Sequence, residues 1–284
     1  MDDLFRYDKK RALVVGCFSG MGAATAQIVA SLGAEVYGVD YKQPQYDLAG
    51  FLQCDLRDTG QIDRMLASLD GPFHAVFYCA GIPYTHPPLD VMKVNFAAAR
   101  RVVEGVEPLI PRGGAISFIS STAGLGFAAH MGPIQELLNT EGYDEAIAWS
   151  SEHADVVGEG YVFSKEAIDV YTMARAVALV DAGVRVNCIS PGPTDTPIMP
   201  DFEELIGGAD IMHAIEGPMK RYGTPEEMGW SVAFLNSDAA SWVNGVNLVV
   251  DGARLAGVTT GAFNTGELLA AAAARREEKK KGEA

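Results

Sequence analysis

The sequence predicts a single α/β domain built on a doubly wound, seven-stranded parallel sheet. About seven short apolar runs alternate with about six segments of helical character along the 284 residues. The first apolar run ends in a glycine-rich turn, and no internal repeat or linker divides the chain. Strands that alternate with helices form a parallel sheet with helices on both faces, joined by right-handed crossovers.

Each apolar run has the length and composition of a buried parallel strand. These predicted strands cover residues 11–16, 34–39, 51–55, 73–79, 115–120, 184–189 and 246–250. The segments between them are rich in helix formers or place apolar residues at helical spacing. The main predicted helices cover residues 20–32, 58–69, 89–106, 160–180 and 224–235.

Two regions depart from this alternation. Residues 125–159 stand where a short connection would suffice, and they contain two amphipathic stretches, so we predict an inserted helical segment. The chain ends in an alanine run followed by Arg and Lys residues, which predicts a solvated, fraying helix. We therefore assign residues 1–257 to the domain, with a substrate loop at 194–218, and residues 258–284 to a C-terminal tail.

Composition excludes several classes of function. The formal net charge of −15 would repel nucleic acid, and no run of 18 apolar residues predicts a membrane span. The acidic N-terminus lacks the apolar stretch of a signal peptide. The cysteines have neither zinc-site nor C-x-x-C spacing, so we predict no metal site and a reduced, cytoplasmic protein: Cys17, Cys54, Cys79 and Cys188.

The turn after the first strand has the spacing G-x-x-x-G-x-G and opens the first predicted helix. A backbone that approaches a pyrophosphate tolerates no Cβ at the contact points, and a helix start supplies free N–H groups. The pattern favours dinucleotide binding over a tight turn without a ligand, because of its place between strand and helix. The candidate contacts are Gly16, Ser19, Gly20, Met21 and Gly22.

Two acidic residues end the next strands. Asp40 lies 18 residues after Gly22, where a carboxylate accepts hydrogen bonds from the adenine ribose hydroxyls. It would repel a 2′-phosphate, so the sequence predicts NAD as the cofactor, although Lys42 is close by. Asp55 can accept from the adenine amino group, but an Asp there also starts turns and caps helices. A solvated strand-end residue is the alternative for Asp40.

Tyr161 and Lys165 are spaced to share one face of a predicted helix. An ammonium group near a phenol favours the phenolate, so we expect Lys165 to lower the pKa of Tyr161. Ser120 and Ser121 end a strand at the carboxyl edge of the sheet, where ligands of such folds bind. This grouping, more than the Tyr–Lys spacing alone, indicates a catalytic site.

Over roughly residues 10–255 the chain resembles the short-chain dehydrogenase/reductase family, which has a Rossmann-type fold. The resemblance rests on GCFSGMG at 16–22, Asp40, Asp55-Leu56, Cys79-Ala80-Gly81, Val94-Asn95, Ser120-Ser121, YVFSK at 161–165, Pro191-Gly192 and Val250-Asp251-Gly252.

The resemblance implies a role for each matching residue. Tyr161 would be the acid/base, Lys165 would hold the nicotinamide ribose, Ser121 would bind the substrate oxygen, and Asn95 would anchor a water in the proton relay. Thr196 would bind the nicotinamide carboxamide. The full set implied to contact the cofactor adds Asp55, Leu56, Ala80, Gly81, Tyr161, Lys165, Pro191, Gly192 and Thr194 to the glycine loop and Asp40. The family uses no metal.

Three positions depart from the family pattern. Tyr78-Cys79 replaces the usual Asn-Asn, Val15 replaces a Thr, and Ser121 and Tyr161 lie 40 residues apart, much farther than in typical members. That spacing places the insertion beside the substrate pocket. An insertion here resembles the bacterial 3α-hydroxysteroid dehydrogenase/carbonyl reductases, whereas VNCISPGP at 186–193 and WVNGVN at 242–247 resemble coniferyl-alcohol dehydrogenases equally.

The predicted function is NAD(H)-dependent interconversion of a hydrophobic alcohol and its ketone, with a hydroxysteroid-type substrate as the first expectation. An aryl-allylic (coniferyl-type) alcohol is the alternative substrate, and an idle dinucleotide-binding sensor or scaffold is the alternative class. We expect the apolar residues of 194–218 to face those of the insertion across the active site. The resemblance implies a homodimer or homotetramer through helices 89–106 and 160–180.

Overall fold

The computed structural model describes residues 3–206, 208–209, 211–212, 217–262, 266, 270 and 274. Seven parallel strands form one sheet in the order β3-β2-β1-β4-β5-β6-β7, which confirms the predicted fold class. The strands are β1 (Arg11–Val15), β2 (Glu35–Asp40), β3 (Gly50–Gln53), β4 (Ala75–Tyr78), β5 (Ala115–Ile119), β6 (Arg185–Pro191) and β7 (Asn247–Val250).

Helices connect the strands and extend the sequence-based assignment. They are α1 (Gly20–Ser31), α2 (Thr59–Ser68), α3 (Pro88–Met92), α4 (Ala98–Val106), α5 (Met131–Leu138), α6 (Gly142–Glu152), α7 (Ala154–Val157), α8 (Tyr161–Ala178), α9 (Met199–Ile206), α10 (Pro225–Asn236) and α11 (Arg254–Thr259). A π-helical turn, Lys93–Ala97, joins α3 to α4, and 3₁₀ turns cover Glu107–Leu109, Thr122–His130 and Asp238–Ala240. Helix α11 continues across the predicted boundary between residues 257 and 258.

The sheet separates two apolar layers. Alternate residues of β1 point to opposite layers, because side chains of a strand alternate between its faces. Leu13 and Val15 belong to the layer that contains α2, α4 and α8. Ala12 and Val14 belong to the layer that contains α1 and α10. The strand order runs outward in opposite directions from β1 and β4. This switch point leaves a crevice at the carboxyl edge between these two strands, the usual ligand site of such sheets.

The insertion is part of the first apolar layer. Ile134 and Leu137 of α5 and Tyr143 of α6 are almost completely buried in that layer. Arg100 of α4, itself buried, donates to Thr140 Oγ1 at 3.1 Å and also to the Thr140 carbonyl. The connection between α5 and α6 therefore covers part of α4, one of the two helices that the family resemblance assigned to an oligomer face.

The described part of the chain contains neither a membrane-spanning helix nor a disulfide bond. Within it, no helix is both long and apolar enough to cross a membrane. Cys17, Cys54 and Cys188 are buried and Cys79 is partly buried, and all four are free thiols.

Candidate active site

Packing inside the protein requires two glycines of the first turn. Gly16 has φ +85°, and a Cβ there would lie 2.5 Å from the Ala80 nitrogen. A Cβ on Gly22 would lie 1.9 Å from the Gly16 carbonyl oxygen. Gly20, with φ +56°, begins α1, and a Cβ there would lie 3.5 Å from Thr196 Cγ2, an ordinary contact distance. The turn thus lies against the loop after β4, which carries Ala80 and Gly81.

The start of α1 is suited to an anion. Its N-cap residue, Ser19, makes no side-chain capping hydrogen bond within the described structure, and the first turn carries no acidic residue. The first-turn N–H groups and the positive end of the helix dipole are therefore available to a pyrophosphate. Met21, on the same turn, lines the cleft described below.

Asp40 lies beside this turn at the end of β2. Its Oδ2 accepts a hydrogen bond from the Phe18 N–H at 2.9 Å, and its Oδ1 accepts one from the Lys42 N–H at 3.2 Å. Burial raises the pKa of Asp40, and these backbone hydrogen bonds oppose the rise. The carboxylate therefore braces the glycine turn from the end of β2.

Asp55 makes local hydrogen bonds just after β3. Arg57 donates to Asp55 Oδ1 from Nε at 3.0 Å and to Asp55 Oδ2 from Nη2 at 2.7 Å. This arginine lowers the pKa of Asp55. Leu56 is buried, and its carbonyl accepts from the hydroxyl of Tyr143 in the insertion at 3.2 Å. Asp55 therefore has a local partner for both oxygens.

Ser121 and Tyr161 meet at the carboxyl edge of the sheet. Ser121 follows β5, and its carbonyl accepts from the Ser190 hydroxyl at 3.0 Å. Tyr161 is the first residue of α8, and its ring packs edge-on against Phe202 with centroids 5.0 Å apart. Burial raises the pKa of Tyr161, and a hydrogen bond from the Ser121 side chain opposes the rise. Two residues 40 apart in sequence thus line the same cleft.

Lys165 lies one turn after Tyr161 on α8 and is buried. Its Nζ donates to the Ile119 carbonyl at 2.9 Å and lies 5.7 Å from the centroid of the Tyr161 ring. Desolvation lowers the pKa of Lys165 to about 8, while Asp169 acts in the opposite direction. The pKa of Tyr161 is raised and not lowered as the Tyr161–Lys165 spacing predicted, because burial of the phenol is the larger cause and the Ser121 side chain opposes it only in part.

Asn95 occupies the π-helical turn and is buried. Its Oδ1 accepts from the Ile82 N–H at 2.8 Å, and its Nδ2 donates to the Ile82 carbonyl at 3.1 Å and to Ser164 Oγ at 3.2 Å. A Cβ on Gly81 would lie 3.5 Å from both Asn95 Oδ1 and Lys165 Nζ. Asn95 therefore ties the loop after β4 to α8, close to the Lys165 ammonium.

The segment after β6 completes the edge. The Gly192 N–H donates to the Val250 carbonyl at 3.0 Å, and a Cβ on Gly192 would lie 2.8 Å from Asp251 Cβ. Thr194 is buried and donates to the Gly192 carbonyl at 2.9 Å. The residues of this segment that line the cleft are Pro191, Gly192, Pro193, Thr194 and Thr196.

A cleft of about 570 Å³ opens above Ser121 and Tyr161. From the substrate loop, six apolar side chains line it: Ile198, Met199, Phe202, Leu205, Ile206 and Met212. Two other isoleucines of this loop were also expected at the cleft. Ile211 is buried and is not part of the cleft lining, and Ile215 lies outside the described residues. From the insertion, Val156 and Val157 line the cleft, whereas the apolar residues of α5 and α6 pack into the core instead.

Comparison with proteins of known activity identifies the family. The chain is 33% identical over 244 residues to the coniferyl-alcohol dehydrogenase of Pseudomonas sp. (strain HR199 / DSM 7063), an alignment that covers 86% of this chain and 95% of that protein. It is also 33% identical over 247 residues to the 3-alpha-hydroxysteroid dehydrogenase/carbonyl reductase of Comamonas testosteroni, covering 84% of this chain and 94% of that protein. The chain belongs to the short-chain dehydrogenase family.

Family models and solved structures agree with this membership. Residues 10–133 match the model described as short chain dehydrogenase, and residues 125–253 match the one described as enoyl-(acyl carrier protein) reductase. The fold is similar to the 3-alpha-hydroxysteroid dehydrogenase from Pseudomonas sp. B-0831 complexed with NADH, with TM-score 0.73, 24% identity, and 90% of this chain and all of that one covered.

A second solved structure holds the other dinucleotide. It is a putative 2-deoxy-d-gluconate 3-dehydrogenase from Agrobacterium tumefaciens with bound NADP, which has TM-score 0.68 and 22% identity. That alignment covers 90% of this chain and 100% of that chain. The fold of this oxidoreductase is thus of the Rossmann type, and among the proteins that share the fold one structure contains NADH and another NADP.

Sequence reasoning missed several polar residues on the cleft wall of this short-chain dehydrogenase. Tyr84, which donates to the Asp201 carbonyl, His130 and Glu166 all line the cleft. Glu166 directly follows the YVFSK motif, next to Lys165, and this position in the sequence could have drawn attention to it. His130 carries no comparable signal, because only the tertiary fold brings the 3₁₀ turn against α8. Within the described residues, no cluster of three His, Cys, Asp or Glu side chains could hold a metal ion.

Proposed function

We propose that this protein is an NAD(H)-dependent alcohol dehydrogenase and carbonyl reductase, with Tyr161 as acid/base. The observation that supports the proposal most directly is that Ser121 and Tyr161 line one largely apolar cleft, where the Ser121 side chain favours the Tyr161 phenolate. A carbonyl or hydroxyl oxygen placed between them would meet two hydroxyl groups, and the remainder of the molecule would lie against apolar walls.

The proton step follows from the state of the phenol. Because burial raises the pKa of Tyr161, the phenol keeps its proton at neutral pH. In ketone reduction it would donate that proton to the developing alkoxide, while Ser121 donates a hydrogen bond to the same oxygen. In alcohol oxidation the phenolate would accept the hydroxyl proton. The Ser121 hydrogen bond and the nearby Lys165 ammonium both favour that phenolate.

The residues around the cleft fit a dinucleotide. The uncapped first turn of α1 would receive the pyrophosphate beside Gly16, Ser19, Gly20, Met21 and Gly22. Ala80, Gly81 and the segment Pro191–Thr196 would enclose the nicotinamide end, with Lys165 toward its ribose. When bound, the nicotinamide supplies hydride donation or acceptance. Leu56 and Asp55 would flank the adenine, with the Asp55 carboxylate already paired to Arg57.

Charge supports NAD over NADP. The Asp40 carboxylate stands at the end of β2, and a 2′-phosphate placed there would meet a like charge in a partly desolvated site. The Lys42 ammonium lies over the rings of Phe18 and Tyr41, 5.4 Å and 5.0 Å from their centroids, and its charge opposes that of Asp40 only in part, since it is the least of the causes that act on the Asp40 pKa.

We propose a bulky secondary alcohol and its ketone, of the hydroxysteroid type, as the first substrate class. The volume of about 570 Å³ and the apolar character of the cleft support it, as does the similarity to a hydroxysteroid dehydrogenase. An aryl-allylic alcohol is the second candidate, supported by equal identity to a coniferyl-alcohol dehydrogenase over 95% of its length. The homodimer or homotetramer implied by the family resemblance, and the cytoplasmic location, stay predictions.

A substrate panel tests the proposed function. The purified protein is assayed with hydroxysteroids, aryl-allylic alcohols and ethanol-sized alcohols, each with NAD and with NADP, by nicotinamide absorbance. We expect kcat/KM to be highest for a bulky apolar alcohol with NAD. Equal rates for small and bulky alcohols would remove the apolar-pocket argument, and no turnover of any alcohol would favour the idle, dinucleotide-binding class.

A further inference from the structure

A buried carboxylate adjoins the active-site cleft beside Lys165. The side chain of Glu166 is 3% exposed, and its Oε2 lies 2.7 Å from His130 Nδ1. Its Oε1 lies against the backbone at Gly126, where an added Cβ would be 3.1 Å away. Burying a carboxylate is costly unless it is paired and hydrogen-bonded. The pair therefore fixes the imidazole with Nδ1 toward Glu166.

The position of the imidazole is defined from a second side. His130 packs edge-on against Phe163, with ring centroids 6.2 Å apart, and Phe163 stacks on Trp149 of the insertion at 5.8 Å. Despite these contacts the His130 side chain remains 44% exposed and lines the cleft. With Nδ1 facing Glu166, Nε2 is the ring nitrogen available to a bound molecule.

The wall of the cleft that includes His130 is mainly apolar. Val156, Val157 and Met199 line it together with His130, and its other polar side chains include Tyr84, Thr122 and Glu159. Arg254, another polar lining residue, enters from the segment packed on Gly217, whereas His130 enters from the insertion. His130 is thus a polar contact point on the insertion side of the cleft.

The chemistry of an imidazole held in this way selects one kind of ligand group. In its neutral form Nδ1–H donates to Glu166 and Nε2 accepts a hydrogen bond; in its protonated form both nitrogens donate. A hydroxyl group can satisfy Nε2 in either state, since it both donates and accepts. A carboxylate or carbonyl satisfies only the protonated form, and an alkyl group satisfies neither.

We infer that His130 binds a second hydroxyl group of the substrate, remote from the carbon that is oxidised, and that Glu166 positions its ring. This inference rests on the proposed function and names its substrate class more closely: hydrophobic alcohols that carry another aliphatic or phenolic hydroxyl. His130 is a specificity-determining residue in this account and takes no part in the transfer of the proton.

Matched substrate pairs test the inference. The first pair is para-hydroxycinnamyl alcohol and cinnamyl alcohol; the second is a 3α-hydroxysteroid diol and the mono-alcohol that lacks its distal hydroxyl. For the wild-type protein with NAD, we expect kcat/KM to favour the hydroxylated member of at least one pair by about tenfold, the effect of one hydrogen bond to a positioned partner.

Variants assign that preference to His130. In His130→Phe we expect the preference to fall to about twofold or less, whatever the change in kcat/KM for the plain alcohol, because the variant also removes a partner of the buried Glu166 carboxylate. His130→Gln, whose amide can both donate and accept, should restore part of it. The matched control is His153→Phe. His153 belongs to the same insertion but stacks on Trp149 at 4.1 Å and is not part of the cleft lining, so the preference should stay intact.

Each outcome has one meaning. The preference is a ratio measured on one preparation, so partial misfolding of a variant cancels from it. Wild-type protein that oxidises both members of both pairs equally, or a His130→Phe variant that keeps the wild-type preference, would overturn the inference and leave the proposed function standing. Wild-type protein that oxidises no alcohol would overturn the proposed function itself.

Discussion

Asp169 lies one helical turn beyond Lys165 on α8, completely buried, and its charge counteracts the desolvation of the lysine. The pKa of Asp169 is itself raised to about 6 by burial, and Lys165 opposes that rise. Tyr161, Lys165 and Asp169 thus form a stripe along one face of α8, with the acid at the end farthest from the cleft. Cys79 and Cys188 are the other titratable groups that act on Lys165.

Replacing this acid should change the pH dependence of ketone reduction. Asp169→Asn removes the charge that keeps Lys165 protonated, so the pKa of Lys165 should fall farther below about 8. The ammonium is then lost at lower pH, and the alkaline fall of kcat/KM should move down by about one pH unit. The measurement is a pH–rate profile in the reductive direction.

The control for this charge change is Asp155→Asn, an exposed acid on α7, which should leave the profile in place. A wild-type profile for Asp169→Asn would show that this carboxylate does not act on the reaction through Lys165.

Tyr161→Phe separates an enzyme from an idle dinucleotide-binding protein. Loss of the acid/base should lower kcat by about 10²–10⁴-fold, while NADH binding, measured by fluorescence titration, stays within a few-fold. In the wild-type protein, alcohol oxidation should rise with pH because the phenolate is the active form and burial raises its pKa. Tyr171→Phe, a buried tyrosine on the same helix, serves as the control, and full activity of Tyr161→Phe would contradict the assignment.

Asp40→Asn should weaken the preference for NAD. The asparagine carbonyl oxygen can still accept from the Phe18 N–H, so the glycine turn keeps its brace, but the Lys42 N–H loses this acceptor and the repulsion of a 2′-phosphate disappears. We expect the ratio of kcat/KM with NAD to that with NADP to fall about 10- to 100-fold. Asp47→Asn removes an exposed charge from the β2–β3 connection and should leave the ratio unchanged; an unchanged ratio in Asp40→Asn would reject this carboxylate as the selector.

Ile134→Ala tests whether the insertion is part of the core. Ile134 is completely buried in the layer beneath α4 and α8, so the truncation should lower the free energy of unfolding by about 2–5 kcal/mol. Urea denaturation followed by circular dichroism measures it. Val177→Ala, at a side chain on α8 that is 77% exposed, should cost no more than about 0.5 kcal/mol. Equal costs for the two variants would mean that the insertion packs only loosely.

Local sequence patterns predicted most of the sheet. The alternation of apolar runs and helices predicted all seven strands, because it depends on short-range spacing. The end of the fifth strand and the start of the long helix after the insertion, together with the order of the motifs, predicted that Ser121 and Tyr161 lie at one edge. Long-range packing was less accessible. The apolar faces of α5 and α6 were expected at the cleft, yet they bury against α4 and α8, since an amphipathic stripe shows that a face is covered without showing what covers it.

The electrostatics of the site were also less accessible from spacing. The Tyr161–Lys165 interval predicted their shared face, but the net direction of the Tyr161 pKa depends on how deeply the phenol is buried. The Asp55–Arg57 pair is local, and the sequence could have suggested it. The His130–Glu166 contact joins residues 36 positions apart through a 3₁₀ turn that no periodicity marks.

The two crowded glycines of the first turn bear on how relatives of this protein are interpreted. Since a side chain at Gly16 or Gly22 would collide with the molecule's own backbone, selection for folding alone would preserve both, even in a descendant that had stopped binding nucleotides. Their presence in a divergent homologue is therefore weak support for redox activity. The charge at position 40 and the phenol at position 161, which the fold does not demand in the same way, are the better markers.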